Sequence, residues 1–186
     1  MTQPWTFSGE PPGTAGAAEP VTLVEGSTFC LSGTAGDIQP GRAHGLFVRD
    51  TRVLSRWELA IGGTTPQPLA VQHGDPYTAT FISRMPPPAG LADSTLLVVR
   101  HRYVGNGMRE DLTVRNLGHT QVRCAVTLAA GADFADLFEV KDGRARPAGD
   151  VPVGAAGDTL TITRRRGQLI VKKTTARRFS SWRRPR

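Results

Sequence analysis

From Val21 onward, short runs of apolar or alternating residues are separated by short clusters of turn residues. The runs are residues 21–24, 28–31, 45–48, 53–61, 68–72, 77–83, 95–104, 108–116, 122–130 and 159–163. Turn clusters lie between them at 33–41, Gly62-Gly63, Gly74-Asp75-Pro76, 85–90 and 154–158. Strand-length runs bounded by Gly, Pro, Asp and Ser are the mark of an all-β domain. No internal repeat accompanies them. The predicted fold class is mainly β.

Asn106-Gly107 predicts a hairpin, because a two-residue type I′ turn needs positive φ at both positions. Folding there opposes Gly105 to Met108, Tyr103 to Glu110, His101 to Leu112 and Val99 to Val114. One face then collects Leu97, Val99, His101, Tyr103, Leu112 and Val114. The other collects Arg100, Arg102, Arg109, Asp111, Thr113 and Arg115, with Arg102 opposite Asp111. The apolar set is expected in the core and the charged set in water. A turn at 116–119 extends the hairpin into a third strand that buries Val122, Cys124, Val126 and Leu128. Helix signals are few. Phe134, Leu137 and Phe138 have helical spacing, and Asp133 is placed to cap. The expectation is one helical turn over 132–140 that leads into a strand.

A chain of 186 residues is long enough for one domain with a real core. Its 21 glycines and 14 prolines stay below the share, roughly 25–30%, of a low-complexity chain. No apolar run reaches the roughly 18 residues of a membrane span, so no membrane partner is expected. The N-terminus has no basic segment followed by an apolar stretch, so it does not read as a secretory signal. Two cysteines, Cys30 and Cys124, lie far apart in apolar stretches and are expected to be reduced, buried residues of a cytoplasmic protein.

The formal net charge of +7 hides an asymmetry. Residues 1–163 sum to −3, and residues 164–186 carry 10 basic side chains and no acid. The expected organisation is a flexible leader at 1–20, a β domain at 21–163 and an Arg-rich tail at 164–186. The tail contains RRRG, VKK, ARRF and WRRPR, interleaved with Phe179 and Trp182. Such a pattern would hold nucleic acid through phosphate contacts and stacking. Against that, Gln168 to Thr175 looks like the hairpin partner of the 159–163 strand. A sheet that runs into an Arg/Pro-rich stop reads as a truncated continuation of the β domain.

Candidate chemistry is sparse. A glycosidase needs two carboxylates at a fixed separation. Glu110 and Asp111 are adjacent on a strand and point to opposite faces. Asp133, Asp136 and Glu139 sit where a strand ends and read as caps or solvated edges. His44, His73, His101 and His119 are scattered without metal-ligand spacing, so no metal site is expected. His101 reads as a hydrogen-bonded core histidine. No serine lies in a GxSxG elbow, and Gly105-Asn106-Gly107 turns a hairpin rather than cradling phosphate. No catalytic residue and no cofactor is expected. Trp57 falls in an alternating run and reads as core. Tyr77 and Tyr103 are isolated, and Trp5 and Trp182 lie near the ends.

Five ordered stretches carry a family resemblance: VTLVEGSTFCLS from Val21, GDIQPG from Gly36, GLFVRDTRVLSRWEL from Gly45, DSTLLVVRHRYVGNGMREDLTVRN from Asp93 and ADFADLFEVKDG from Ala132. They span most of residues 21–143, and the match fades from about Leu169. In them the chain resembles the N-terminal domain of bacterial glycogen debranching enzymes of the amylo-α-1,6-glucosidase type. The resemblance implies that residues 21–163 form an antiparallel β-sandwich, super-sandwich-like, that precedes a helical (α/α)-barrel, and the barrel carries the acid and base that cut α-1,6 branch linkages. The chain ends before any barrel, so none of the family's catalytic carboxylates is carried over. The implied role is a non-catalytic module that packs on the barrel and shapes the α-glucan cleft. The positions it implies for that role are Arg49, Asp50, Thr51, Arg52, Asp136 and Glu139, although Arg49 and Asp50 also read as a structural ion pair at a strand end. Without the barrel, self-association is expected. The alternatives are a basic-tailed nucleic-acid-binding protein and a small self-sufficient glycosidase.

Overall fold

The computed structural model describes residues 20–87, 94–145, 153–164 and 167–172. Nearly all of the expected leader and the last 14 residues of the expected tail lie outside this set. The described strands are β1 (Val21–Glu25), β2 (Thr28–Ser32), β3 (Gly45–Val48), β4 (Thr51–Leu54), β5 (Arg56–Ile61), β6 (Gln67–His73), β7 (Thr78–Arg84), β8 (Leu96–Gly105), β9 (Gly107–Asn116), β10 (Val126–Gly131), β11 (Val153–Ala156), β12 (Thr159–Arg164) and β13 (Gly167–Lys172). A single short helix, α1 (Leu137–Lys141), is described with them.

Every strand pairing among the described residues is antiparallel. One layer is the sheet β1-β2-β3-β4, continued past a break at Ser55 by the ribbon β5–β10. The other layer is the sheet β6-β7-β8-β9. Between them lies a core of Val21, Leu23, Cys30, Ile38, Leu46, Leu54, Trp57, Ala79, Phe81 and Val104. A second cluster joins Leu59 and Ile61 to Met85 and Val98. The far side of the first sheet is covered too. Phe47, Ala135 and Val140 pack there with Phe29, Leu31 and Leu137, and the Phe29 and Phe47 rings stack at 4.6 Å. The sheet β11-β12-β13 joins this layer through Ile162, which packs on Ala132 and Phe134. The architecture is a mainly β, antiparallel sandwich.

The C-terminal hairpin forms as expected, with Thr163 opposite Gln168. The β8–β9 hairpin also forms, but its register is one residue away from the expected one. Gly105 faces Gly107, Val104 faces Met108 and Arg102 faces Glu110. Asn106 stands alone at the tip and is not among the residues with positive φ, whereas Gly107 has φ 145°. A one-residue slip moves every side chain to the other face. The buried set is therefore Val98, Arg100, Arg102 and Val104, and Leu97, Val99, His101 and Tyr103 are half-buried on the outer face. His101 is thus no core histidine; on that outer face its Nδ1 is 2.6 Å from Thr80 Oγ1. The slip is stabilised from inside, because both arginines find buried acceptors.

Three further expectations are corrected. The strand after the hairpin pairs with β5 rather than β9, and it leaves Val126 and Leu128 exposed. Val122 and Cys124 precede that strand and are also exposed, so only Cys30 is a buried thiol. The helix begins at Leu137 and is capped by Asp136, not Asp133. Gly107→Val should cost about 1–3 kcal/mol, since a β-branched residue is strained at that φ. Nothing lies within 4 Å of an added Cβ there, so the whole effect is backbone strain. Urea unfolding checks it, with Asn106→Ala expected to be near neutral.

Candidate functional site

Two buried arginine clusters position the surface of this domain. In the first, Arg100 and Arg102 project from β8 into the sandwich, where their side chains are 2% and 0% exposed. Arg100 donates from Nε to Glu110 Oε1 at 3.0 Å and from Nη1 to Asp37 Oδ1 at 2.5 Å and to the Ala35 carbonyl at 2.9 Å. Arg102 donates to Glu110 Oε2 from Nε at 2.9 Å and to the Gly36 carbonyl. Its guanidinium also lies over the Phe81 ring, 5.0 Å from the centroid. Trp57 Nε1 donates to Glu110 Oε1 at 3.0 Å. Two cations and two carboxylates thus neutralise each other between the sheets.

The environment sets the ionisation of this cluster. Burial alone would raise the pKa of Glu110. Arg102 and Arg100 outweigh it, helped by hydrogen bonds from Trp57 and Arg102, and hold the carboxyl below its usual range. Burial pushes the Cys30 thiol up, so it is an inert packing residue.

The second cluster holds a corner of the first sheet. Arg52, from β4, forms a bidentate pair with Asp133 through Nε, at 3.1 Å, and Nη2. Its Nη1 donates to the carbonyls of Arg42 and His44. Gly45 is required here, because a Cβ at that position would lie 2.5 Å from Arg52 Cδ. Burial and then the nearby Arg42 lower the pKa of His44.

The corner is also where the sequence-derived interface residues meet. Thr51 forms an isolated bridge with Asp136, and the Leu137 N–H donates to the Asp50 carbonyl at 2.8 Å. Asp136 caps α1, and Glu139 reaches back to the Asp136 N–H at 3.0 Å, a reciprocal capping box. Arg52, Asp136 and Glu139 are therefore engaged in holding the corner. Arg49 and Asp50 remain exposed at the turn between β3 and β4. They form no ion pair with each other; the pair at this corner is Arg52–Asp133. Arg49 adopts φ 54°, a conformation that side chains rarely take. Its N–H is fixed to the Ser27 carbonyl at 2.7 Å. Phe138 stands 63% exposed on α1 beside this turn.

The carboxylates considered for hydrolysis are otherwise occupied. Glu110 lies in the arginine cluster, Asp111 pairs with Arg109 on the outer face, and Asp133 pairs with Arg52. Nothing in the sequence singles out Asp37, and alternation assigns Arg100 and Arg102 to the water-facing side, where the structure buries them; the one signal of their burial is an Arg-x-Arg step inside an apolar run. No group of three or more potential metal ligands occurs among the described residues. No helix among them is long and apolar enough to cross a membrane. The model of a family described as the N-terminal domain of some glycogen debranching enzymes matches residues 23–181. No curated protein and no solved structure matches the chain.

Proposed function

This chain belongs to the family of N-terminal domains of some glycogen debranching enzymes, and from that premise we propose that it is a non-catalytic module that docks on a helical catalytic domain. The observation that carries the reading is the corner built by β3, β4 and α1. Arg49 is held in a strained conformation there: its own N–H is fixed to the β1–β2 turn, and the carbonyl of the next residue, Asp50, accepts from the start of α1. Strain of this kind persists where the surroundings over-determine it, and it concentrates at binding sites. Beside it stands an exposed aromatic ring, Phe138, of the type that anchors interfaces. In this reading Arg49, Asp50 and Phe138 touch the partner. Thr51, Arg52, Asp136 and Glu139 hold them in place.

The purified chain is expected to release no glucose from branched α-glucan, and measurable turnover would overturn the non-catalytic assignment. The docking half is tested with a helical debranching domain supplied as a separate chain. Arg49→Glu and Phe138→Asp should each weaken that association about tenfold or more, a loss of about 1.4 kcal/mol. Association that neither substitution changes would move the interface elsewhere.

A further inference from the structure

We infer that β10 pairs edge to edge with β10 of a second copy of this chain, about a two-fold axis at Leu128. The inference rests on the ladder geometry of the β5–β10 ribbon. On β5, the N–H groups of Trp57, Leu59 and Ile61 point away from β10. They donate to the Ile38 carbonyl, Asp37 Oδ1 and the Thr64 carbonyl at 2.9, 3.2 and 2.9 Å. The β10 residues opposite them are Ala130, Leu128 and Val126. In an antiparallel pair, bonded and non-bonded positions alternate. Val126, Leu128 and Ala130 therefore turn their backbone N–H and C=O groups to the free edge. Among the described residues β10 pairs with β5 alone.

The side chains of the same three residues lie on the face shared with Ile61, Leu59 and Trp57. That face is core under β5, but Val126 is 51% and Leu128 41% exposed. An apolar face and an unpaired edge thus coincide on one strand. Natural sheets protect such edges with charge, proline or bulges. The edge of β9 carries Arg109, Asp111 and Arg115, and the edge of β6 has Pro68 and a register shift next to it. β10 reads Val-Thr-Leu-Ala-Ala-Gly and has none of these.

A helix laid on this edge would leave the backbone groups unmet, so the occupant is a strand. Register and charge both suit a second copy. Symmetry about Leu128 places Leu128 against its own counterpart and Val126 against Ala130, large against small, with outward-bonding positions facing one another. The strand is uncharged, and the nearby Arg56 is already paired with Glu58, so two copies meet without like-charge repulsion. The result is a continuous sheet β5-β10-β10-β5. One strand pair is a small interface, below about 1,200 Å² in total, so the dimer is weak and concentration-dependent.

Sedimentation of the full chain across a concentration series tests this. The mean mass should rise from 20.0 kDa toward that of two copies. Leu128→Lys adds a charge at the axis, and Leu128→Pro removes an outward N–H without touching a β5 ladder bond. Each should raise the dissociation constant at least tenfold, with circular dichroism unchanged. In a Cys124→Ser background, Leu128→Cys should cross-link into a dimer on oxidation, whereas Leu69→Cys, on β6 and more exposed than Leu128, should not. A single species of one-copy mass throughout the series would overturn the proposal. So would a dimer that survives both Leu128 variants, or cross-linking at position 69 as fast as at 128.

Discussion

Glu110→Ala is expected to destabilise the domain by about 3–5 kcal/mol, the usual cost of removing one partner from a buried ion pair. Glu110 bonds both buried arginines and the indole of Trp57. Its removal leaves Arg102 between the sheets with a carbonyl and a thiol as its remaining acceptors. A domain stable by about 5–15 kcal/mol loses a large share of that margin. Urea unfolding measures the loss. Replacing the whole set with apolar residues of similar volume should cost much less than the single change, because no unpaired charge remains. The same carboxylate gives the domain an acid limit. Its pKa is lowered on folding, so its contribution is full above the unfolded-state value, near 4.3. That contribution fades as pH falls through the folded-state value. Stability of the Asp37→Asn, Glu110→Leu, Arg100→Met, Arg102→Met variant, in which no member of the cluster is charged, should show a shallower acid limb.

Asp133→Ala should cost a similar amount, about 3–5 kcal/mol, and should act on the corner first. Arg52 is 6% exposed and Asp133 4% exposed, so the abandoned guanidinium has no ready access to water. Asp133 also accepts from the Ala135 N–H. The segment that carries Asp136 and α1 is fastened to β4 through the Ala135 carbonyl and the Thr51 bridge. Amide hydrogen exchange should therefore rise at Leu137, Phe138 and Arg52 beyond what global unfolding predicts. Arg52→Met combined with Asp133→Leu should recover part of the loss. If exchange at the corner rises only with the global opening rate, the pair is a general stabiliser and not a local clamp.

Although β11 occupies part of the expected turn at 154–158 and the expected run 53–61 is broken at Ser55, most strand positions, the mainly β class and the C-terminal hairpin were legible in the linear chain. Each depends on local signals, namely apolar runs of strand length and turn residues with suitable φ. The family resemblance was legible for the same reason, since ordered motifs survive without knowledge of their contacts. The face of β8 was not. Leu96, Leu97, Val98 and Val99 place apolar groups on both sides, so alternation gives no preference there. The choice was made by acceptors elsewhere, Asp37 at 63 residues from Arg100 and Glu110 across the hairpin. With those acceptors, two arginines are buried and four apolar or aromatic residues face outward. The partner of β10 was likewise a matter of which strand edge the packed sheets left open, and it proved to be β5. The corner joins both kinds of information. Its residues were named from two separate motifs, and only folding brought them together, through an Arg52–Asp133 pair that spans 81 residues. Local propensity acts over a few residues and is written along the chain. Burial of charge depends on partners that exist only once the sheets have packed.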